Sequence, residues 1–229
     1  MKISKDTKVC ISLAKTAGNF GTTIYNHVFE KLGIDFIYKS FSTQDLEAAV
    51  LGAKAIGICG ISVTMPYKTE VLKLVDELTE EVKETGAANT IVNSNGRLVA
   101  YNTDTDSTRI VLEEAKDKSV LYILGRGGFS KAVQYSSKGI FEEYKLVTRE
   151  NWSDIHNINS GTVFNCTPVK NLSEIFNTGN VDFIDCDVST ASGKRLAVLQ
   201  AARQFNLYTG QEFLTDYVLS NLDRILERN

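Results

Sequence analysis

Apolar and polar positions along the chain switch repeatedly between strand and helix periods. Lys8–Leu13 alternates as a strand, and Ile24, Phe29 and Leu32, with His27 and Val28 between them, then recur at helical spacing. Gly33 ends that helix in the position a left-handed cap prefers. The pattern predicts a second strand over Asp35–Phe41, a second helix over Thr43–Ala53 with Thr43 or Ser42 as its N-cap, and a third strand over Ile56–Val63. Strand, helix, strand, helix, strand is the signature of an α/β layer with parallel neighbours.

The stretch Gly60–Asp104 organises the chain. Its apolar run ends in Thr64-Met65-Pro66-Tyr67-Lys68, so a buried strand stops and delivers a lysine just after a proline. Pro66 suits the first turn of a helix, where its missing N–H costs nothing. That helix is predicted over Tyr67–Leu78, with Val71, Leu72, Leu74, Val75 and Leu78 as its apolar stripe. Gly86-Ala87-Ala88-Asn89-Thr90 then leads into a ribbon whose turn is Asn95-Gly96, a strong hairpin signal, and which returns to Tyr101-Asn102-Thr103-Asp104. One amine, Lys68, and one carboxylate, Asp104, thus stand at element ends, where a rigid scaffold displays chemistry.

A helix over Thr105–Ala115 leads to a polar hinge, Asp117-Lys118-Ser119, where a second domain begins. Val120–Leu124 is a short apolar strand, followed at once by Gly125-Arg126-Gly127-Gly128-Phe129 and a helix. A glycine-rich turn there lets backbone N–H groups approach a diphosphate at a helix N-terminus, although tight strand-to-helix turns favour glycine without a ligand. Lys145–Thr148 is the next strand, ending in Arg149-Glu150. An acidic residue about 20 positions beyond the glycines holds a ribose 2′-hydroxyl, whereas an arginine accommodates a 2′-phosphate, and both types occur here. Strands follow over Thr162–Thr167 and Val181–Val188, with a helical turn at Leu172–Phe176. The link Arg149–Gly161 barely meets the roughly 10–12 residues that a crossover with a helix needs. A helix from Gly193 through Phe205 and an amphipathic helix over Glu212–Leu226 close the chain.

At 229 residues and 43% hydrophobic, the chain forms one large or two small domains. A net charge of −3 and a pI near 5.5 argue against a nucleic-acid surface. No apolar run approaches the roughly 18 residues of a membrane span, and the first residues lack the apolar core of a signal peptide. Cys10, Cys59, Cys166 and Cys186 lie in separate apolar runs, so they are expected as buried, reduced core thiols. Neither cysteines nor histidines have metal-ligand spacing, and His27 and His156 are expected at the surface.

V-T-x-P-x-K (Val63–Lys68), G-A-x-N-T (Gly86–Thr90) and N-T-D (Asn102–Asp104), in this order and spacing, resemble the shikimate and quinate dehydrogenase family. The loop at Gly125–Gly128, the Asn165-Cys166-Thr167-Pro168 block and the Gly193–Ala201 block extend the resemblance over nearly the whole chain. It implies an α/β fold with an N-terminal substrate domain, residues 1–105 and 194–229, and a compact Rossmann-like nucleotide-binding domain, residues 106–193. It also implies that the C-terminal helices return to the first domain and that the active cleft would lie between the two. It implies NADP-dependent interconversion of a secondary alcohol and a ketone on a shikimate-like cyclic hydroxy acid, as in aromatic amino acid biosynthesis. Lys68 and Asp104 would be catalytic, and Asn19, Gly21, Thr64, Asn89, Thr103 and Gln200 would bind substrate. Gly125, Gly127, Gly128, Phe129, Arg149, Thr167 and Gly193 would bind the cofactor; Arg149 favours NADP, with NAD the alternative. The expected setting is a cytoplasmic monomer or homodimer without nucleic-acid or membrane partners.

Two departures from the family pattern qualify this reading. Family dehydrogenases carry two serines where this chain has Asn19 and Gly21, and Gly21 is expected to open room that a serine would fill. The segment Ser189–Gly193 is short, so one helix and part of a nicotinamide-side wall are expected to be missing. The alternative is therefore a catalytically weak relative that holds a ligand or nucleotide.

Overall fold

A computed structural model describes residues 3–176 and 179–227. The chain divides into two compact units, one containing the residues up to Thr103 together with those from Val198 onward, the other Asp104–Ala197.

In the first unit β1 (Lys8–Ala14), β2 (Phe36–Ser42), β3 (Gly60–Val63), β4 (Glu77–Leu78), β5 (Thr90–Ser94) and β6 (Arg97–Tyr101) form one sheet of order β2-β1-β3-β5-β6-β4. β1 pairs in parallel with β2 and β3, placing Cys10 opposite Tyr38 and Gly60, whereas β5 runs antiparallel to β3 and β6. Helices α1 (Phe20–Leu32) and α2 (Leu46–Ala55) make the crossovers. Successive residues of β1 serve opposite faces. Cys10 packs with Val28 and Phe29 of α1 and with Phe205 and Leu222 from the C-terminal helices, while Ile11 and Leu13 pack with Val50, Ile61 and Ile91 on the other face. The C-terminal chain thus completes the first unit's core.

Gly33 takes the left-handed conformation expected of a helix cap, and Asn95 and Gly96 both have positive φ in the hairpin turn, 53° and 87°. The helix expected over Tyr67–Leu78 is absent. After a cis Met65–Pro66 peptide the chain forms a 3₁₀ turn, Glu70–Leu74, and then β4. Val71 remains buried, but Asp76 and Thr79 donate their N–H groups to the Leu98 and Ala100 carbonyls of β6. Sheet pairing with a distant strand outweighs the helical spacing. α2 also starts later than expected. Thr43 folds its hydroxyl onto the Asp45 backbone, and Asp45 is the N-cap, accepting from Ala48 N at 2.9 Å. β3 begins at Gly60 rather than Ile56, whose side chain is exposed.

In the second unit β7 (Val120–Leu124), β8 (Glu143–Val147), β9 (Gly161–Asn165) and β10 (Val181–Asp185) form an all-parallel sheet of order β10-β9-β7-β8. α4 (Thr103–Glu113) leads into it, and α5 (Gly128–Ser136) follows β7. The short link after β8 is a 3₁₀ run, Arg149–Asn157, whose Ile155 packs with Val147 and Val163. α6 (Ala191–Thr209) follows β10, and α7 (Thr215–Leu226) ends the described chain. No helix among the described residues is long and apolar enough to cross a membrane.

Two surface and core expectations change. His27 is half-buried, stacked on Tyr217 and 3.2 Å from its hydroxyl, because α7 packs over α1. Cys10 is buried, whereas Cys59, Cys166 and Cys186 are half-buried; all four are free thiols, with the Cys10 and Cys59 sulfurs 3.2 Å apart.

Candidate active site

The chemistry-bearing residues of the first unit gather at one end of its sheet. β1 and β3 end there, β5 starts there and β6 ends there. Backbone hydrogen bonds stitch these ends together: Thr64 N to Leu13 O at 3.1 Å, Val63 N to Asn89 O at 2.8 Å, and Asn89 N to Tyr101 O at 3.1 Å. Ala88 N donates to the Lys68 carbonyl at 2.8 Å, which ties the lysine's turn to the segment carrying Asn89. Thr64 is exposed and Lys68 half-buried, while Asn89 and Thr103 are buried. Asp104 follows Thr103 in the first turn of α4, where a carboxylate complements the helix dipole, and is buried.

The Asn89 side chain is held in one orientation. Its Oδ1 accepts from Thr103 N at 2.8 Å, from the Thr103 hydroxyl at 3.1 Å and from the Thr90 hydroxyl at 2.8 Å. An oxygen with three donors around it fixes which edge of the amide carries N–H. Behind it stands Gln204, which sequence reading missed. Its position could be read from a polar stripe on α6, since Gln200, Gln204 and Tyr208 follow at i, i+4 and i+8. Gln200 itself is half-buried on the same helix.

The start of α1 corrects an expectation. Gly21 opens no room: a Cβ there would lie 3.0 Å from Cε1 and 3.3 Å from the hydroxyl of Tyr38. The Tyr38 ring fills that volume and stacks on Tyr25 with centroids 4.3 Å apart. Burial pushes its phenol up to about 12, against the opposing hydrogen bonds of Ser62 and Ser12. Asn19 is exposed at the N-cap of α1 and makes no side-chain capping bond.

In the second unit, three loops leave the same ends of adjacent parallel strands. Gly125 follows β7, Arg149 lies just beyond β8, and Thr167 lies just beyond β9. Gly125 has φ of 107° and meets Thr167, whose Cγ2 would be 3.0 Å from an added Cβ. The Thr167 hydroxyl and N–H both donate to Asn165 Oδ1. Gly127 caps α5 without a side chain; a Cβ there meets nothing within 4 Å, and the first turn carries no acidic residue. This cradle fits an anionic phosphate by the close approach that Gly127 allows and by the sign of the helix dipole at the start of α5. Phe129 leans on Phe164 with centroids 6.0 Å apart. Arg149 is exposed, and the adjacent Glu150 accepts from the Thr148 hydroxyl, which with Arg126 and Arg149 nearby lowers its pKa. Gly193 is required by packing, since a Cβ would overlap the Asp187 carbonyl.

Comparison with known proteins places this geometry in a family. A family model of the shikimate dehydrogenase substrate binding domain matches residues 20–91. A shikimate dehydrogenase-like protein of Haemophilus influenzae is 41% identical over 64% of this chain and 55% of its own length. The NADP(+) shikimate dehydrogenase of Pyrococcus abyssi is 44% identical over 49% of this chain and 43% of its own, so this chain spans about half the length of these curated relatives. The NADP(+) shikimate dehydrogenase of Caldanaerobacter subterraneus is 31% identical over 97% of this chain and 99% of its own. The solved structure of a shikimate 5-dehydrogenase-like protein superposes with a TM-score of 0.84 at 30% identity, covering 99% of this chain and 100% of that one. At 19% identity, the Thermus thermophilus shikimate 5-dehydrogenase solved with NADP(H) and shikimate shares the fold, with a TM-score of 0.78 over 95% of this chain and 99% of its own. By its near full-length similarity to the Caldanaerobacter protein and its three sequence blocks, this chain belongs to the shikimate dehydrogenase family.

Proposed function

We propose that this chain is an NADP-dependent oxidoreductase that interconverts a secondary alcohol and a ketone on a shikimate-like cyclic hydroxy acid. The observation that carries the reading is the backbone hydrogen bond between Ala88 and Lys68, which ties the lysine's turn to the segment carrying the oriented Asn89 amide at one end of the sheet. Family relatives named as NADP(+) shikimate dehydrogenases support the substrate and cofactor classes.

Oxidising an alcohol carbon releases a hydroxyl proton as well as a hydride, so a positioned acid/base is required. Lys68 accepts that proton in oxidation and returns it in reduction, with Asp104 as its paired carboxylate. Thr64, Asn89, Thr103 and Gln200 hold ring hydroxyls, and Asn19 with the backbone N–H groups at the start of α1 holds the acid's carboxylate. Gly125, Gly127 and Gly128 with the α5 N-terminus hold a diphosphate, Phe129, Thr167 and Gly193 line the same cofactor, and Arg149 reads a 2′-phosphate. The nicotinamide supplies hydride exchange when bound.

Lys68→Ala is the test. Turnover is expected to fall about 10²–10⁴-fold, the usual contribution of a general acid/base, with much less change in substrate affinity. Turnover close to that of the unmodified chain removes Lys68 from the mechanism. A second reading, a relative that binds ligand or nucleotide without efficient turnover, is favoured by the second unit's four-stranded sheet and its 3₁₀ link in place of a crossover helix.

A further inference from the structure

Gln204 is almost fully buried, and all four of its amide hydrogen-bonding positions are used. Its Oε1 accepts from the Tyr25 hydroxyl at 2.6 Å and the Ser62 hydroxyl at 3.2 Å. Its Nε2 donates to the Asn89 carbonyl at 3.1 Å and to the Thr90 hydroxyl oxygen at 2.8 Å. Flipping this amide would set its oxygen against the Asn89 carbonyl, so only one orientation satisfies the site.

The orientation has a consequence one bond further on. The Thr90 hydroxyl has a single proton. Accepting from Gln204 leaves that proton to donate, and it goes to Asn89 Oδ1 at 2.8 Å. Tyr25, Gln204, Thr90 and Asn89 therefore form a directional chain in which each donor faces the next acceptor. Ser62, which also contacts the Tyr208 hydroxyl at 3.0 Å, braces the same amide oxygen from β3. Burial raises the Tyr25 and Tyr208 phenols well above their ordinary range, so both remain protonated at neutral pH.

We propose that Gln204 is a positioning residue that, by orienting the Thr90 hydroxyl as a donor, reinforces the Thr103 N–H in holding the edge of the Asn89 amide that meets a substrate hydroxyl. The inference deepens the proposed function and rests on it for the identity of what Asn89 meets. Gln204 touches no reacting atom in this scheme; it helps to hold the amide that does.

The test compares Gln204→Met, which keeps length and burial but loses both donors, with Thr90→Val and Thr90→Ser. Two readouts are taken on the full chain: the side-chain amide NMR signal of Asn89 without ligand, and shikimate and NADP kinetics. Gln204→Met and Thr90→Val are expected to shift the Asn89 amide signal. They are also expected to lower kcat/KM for shikimate about tenfold, the effect of one neutral hydrogen bond, with the KM for NADP unchanged. Thr90→Ser restores both, and the double variant Gln204→Met/Thr90→Val adds little to either single loss. An unmoved Asn89 signal in the single variants overturns the proposal, as does an equal loss for shikimate and NADP. If Gln204→Met does not fold, the Thr90 pair decides: Val and Ser behaving alike overturns it. A shifted Asn89 signal in a chain whose unmodified form turns over no cyclic hydroxy acid upholds the positioning and overturns the proposed function instead.

Discussion

Replacing Gly21 tests whether the start of α1 is a space for ligand or a packed contact. Gly21 lacks positive φ, so an added side chain is not opposed by the backbone and meets only Tyr38, with Cε1 at 3.0 Å and Cζ at 3.4 Å from the new Cβ. Tyr38 cannot retreat readily, because it is buried against Tyr25 at 4.3 Å between ring centroids. Overpacking of this kind costs about 1–3 kcal/mol. Helix propensity returns about 0.5–1 kcal/mol when glycine becomes alanine. The net loss for Gly21→Ala is up to about 2.5 kcal/mol, a fall in Tm of up to about 10 °C for a chain of this size. Thermal unfolding measures it, and the same change in a Tyr38→Leu background should cost little, since the ring is gone. Gly21→Ser should likewise fail to improve shikimate turnover. A Gly21→Ala chain that melts at or above the unmodified protein, with no coupling to Tyr38, refutes the packing argument.

The cofactor assignment predicts that Arg149→Ala weakens NADP binding about ten- to a hundred-fold, the loss of a charge-assisted bond, and leaves NAD binding nearly unchanged; titration with each nucleotide checks it, and equal losses refute it. Asp117 accepts from the Ser119 hydroxyl and N–H and from Gly161 N, which holds its carboxyl below the ordinary range. Because its folded pKa is depressed, its contribution is present above the unfolded value near 3.9 and is lost as pH falls through the folded one. Asp117→Asn should therefore flatten the acid side of the urea-midpoint profile below about pH 4, and an unchanged slope would contradict this. Gly193→Ala, which drives a Cβ into the Asp187 carbonyl, should lower Tm by several degrees, about 2–4 °C for each kcal/mol of overpacking; an unaltered melting curve would show that the α6 start relaxes freely.

What could be read from the sequence was local. Gly33, Asn95-Gly96 and Val120–Leu124 each declare themselves within a few residues, and each element stands where its pattern set it. The Tyr67–Leu78 helix failed because its competitor, the carbonyl edge of β6, lies about twenty residues away and no periodicity within the segment reveals it. Gln204 was overlooked for a similar reason. Its partners Tyr25, Ser62 and Asn89 come from α1, β3 and the start of β5, and only the fold assembles them. Gly21 was misjudged because a missing side chain looks like space until the neighbouring ring is known. Lys68, Asn89 and Thr103 stood out as blocks, and the sheet explains their grouping through strand ends that share backbone bonds.

The most direct test of the proposed function follows nicotinamide absorbance while the purified chain is offered shikimate, quinate and other cyclic hydroxy acids with NADP or NAD. The expected result is saturable reduction of NADP with at least one of these acids, with NAD used less well. Tight binding of acid or nucleotide with no change in nicotinamide absorbance across the whole panel would contradict the assignment as an oxidoreductase and leave the binding relative as the reading that stands.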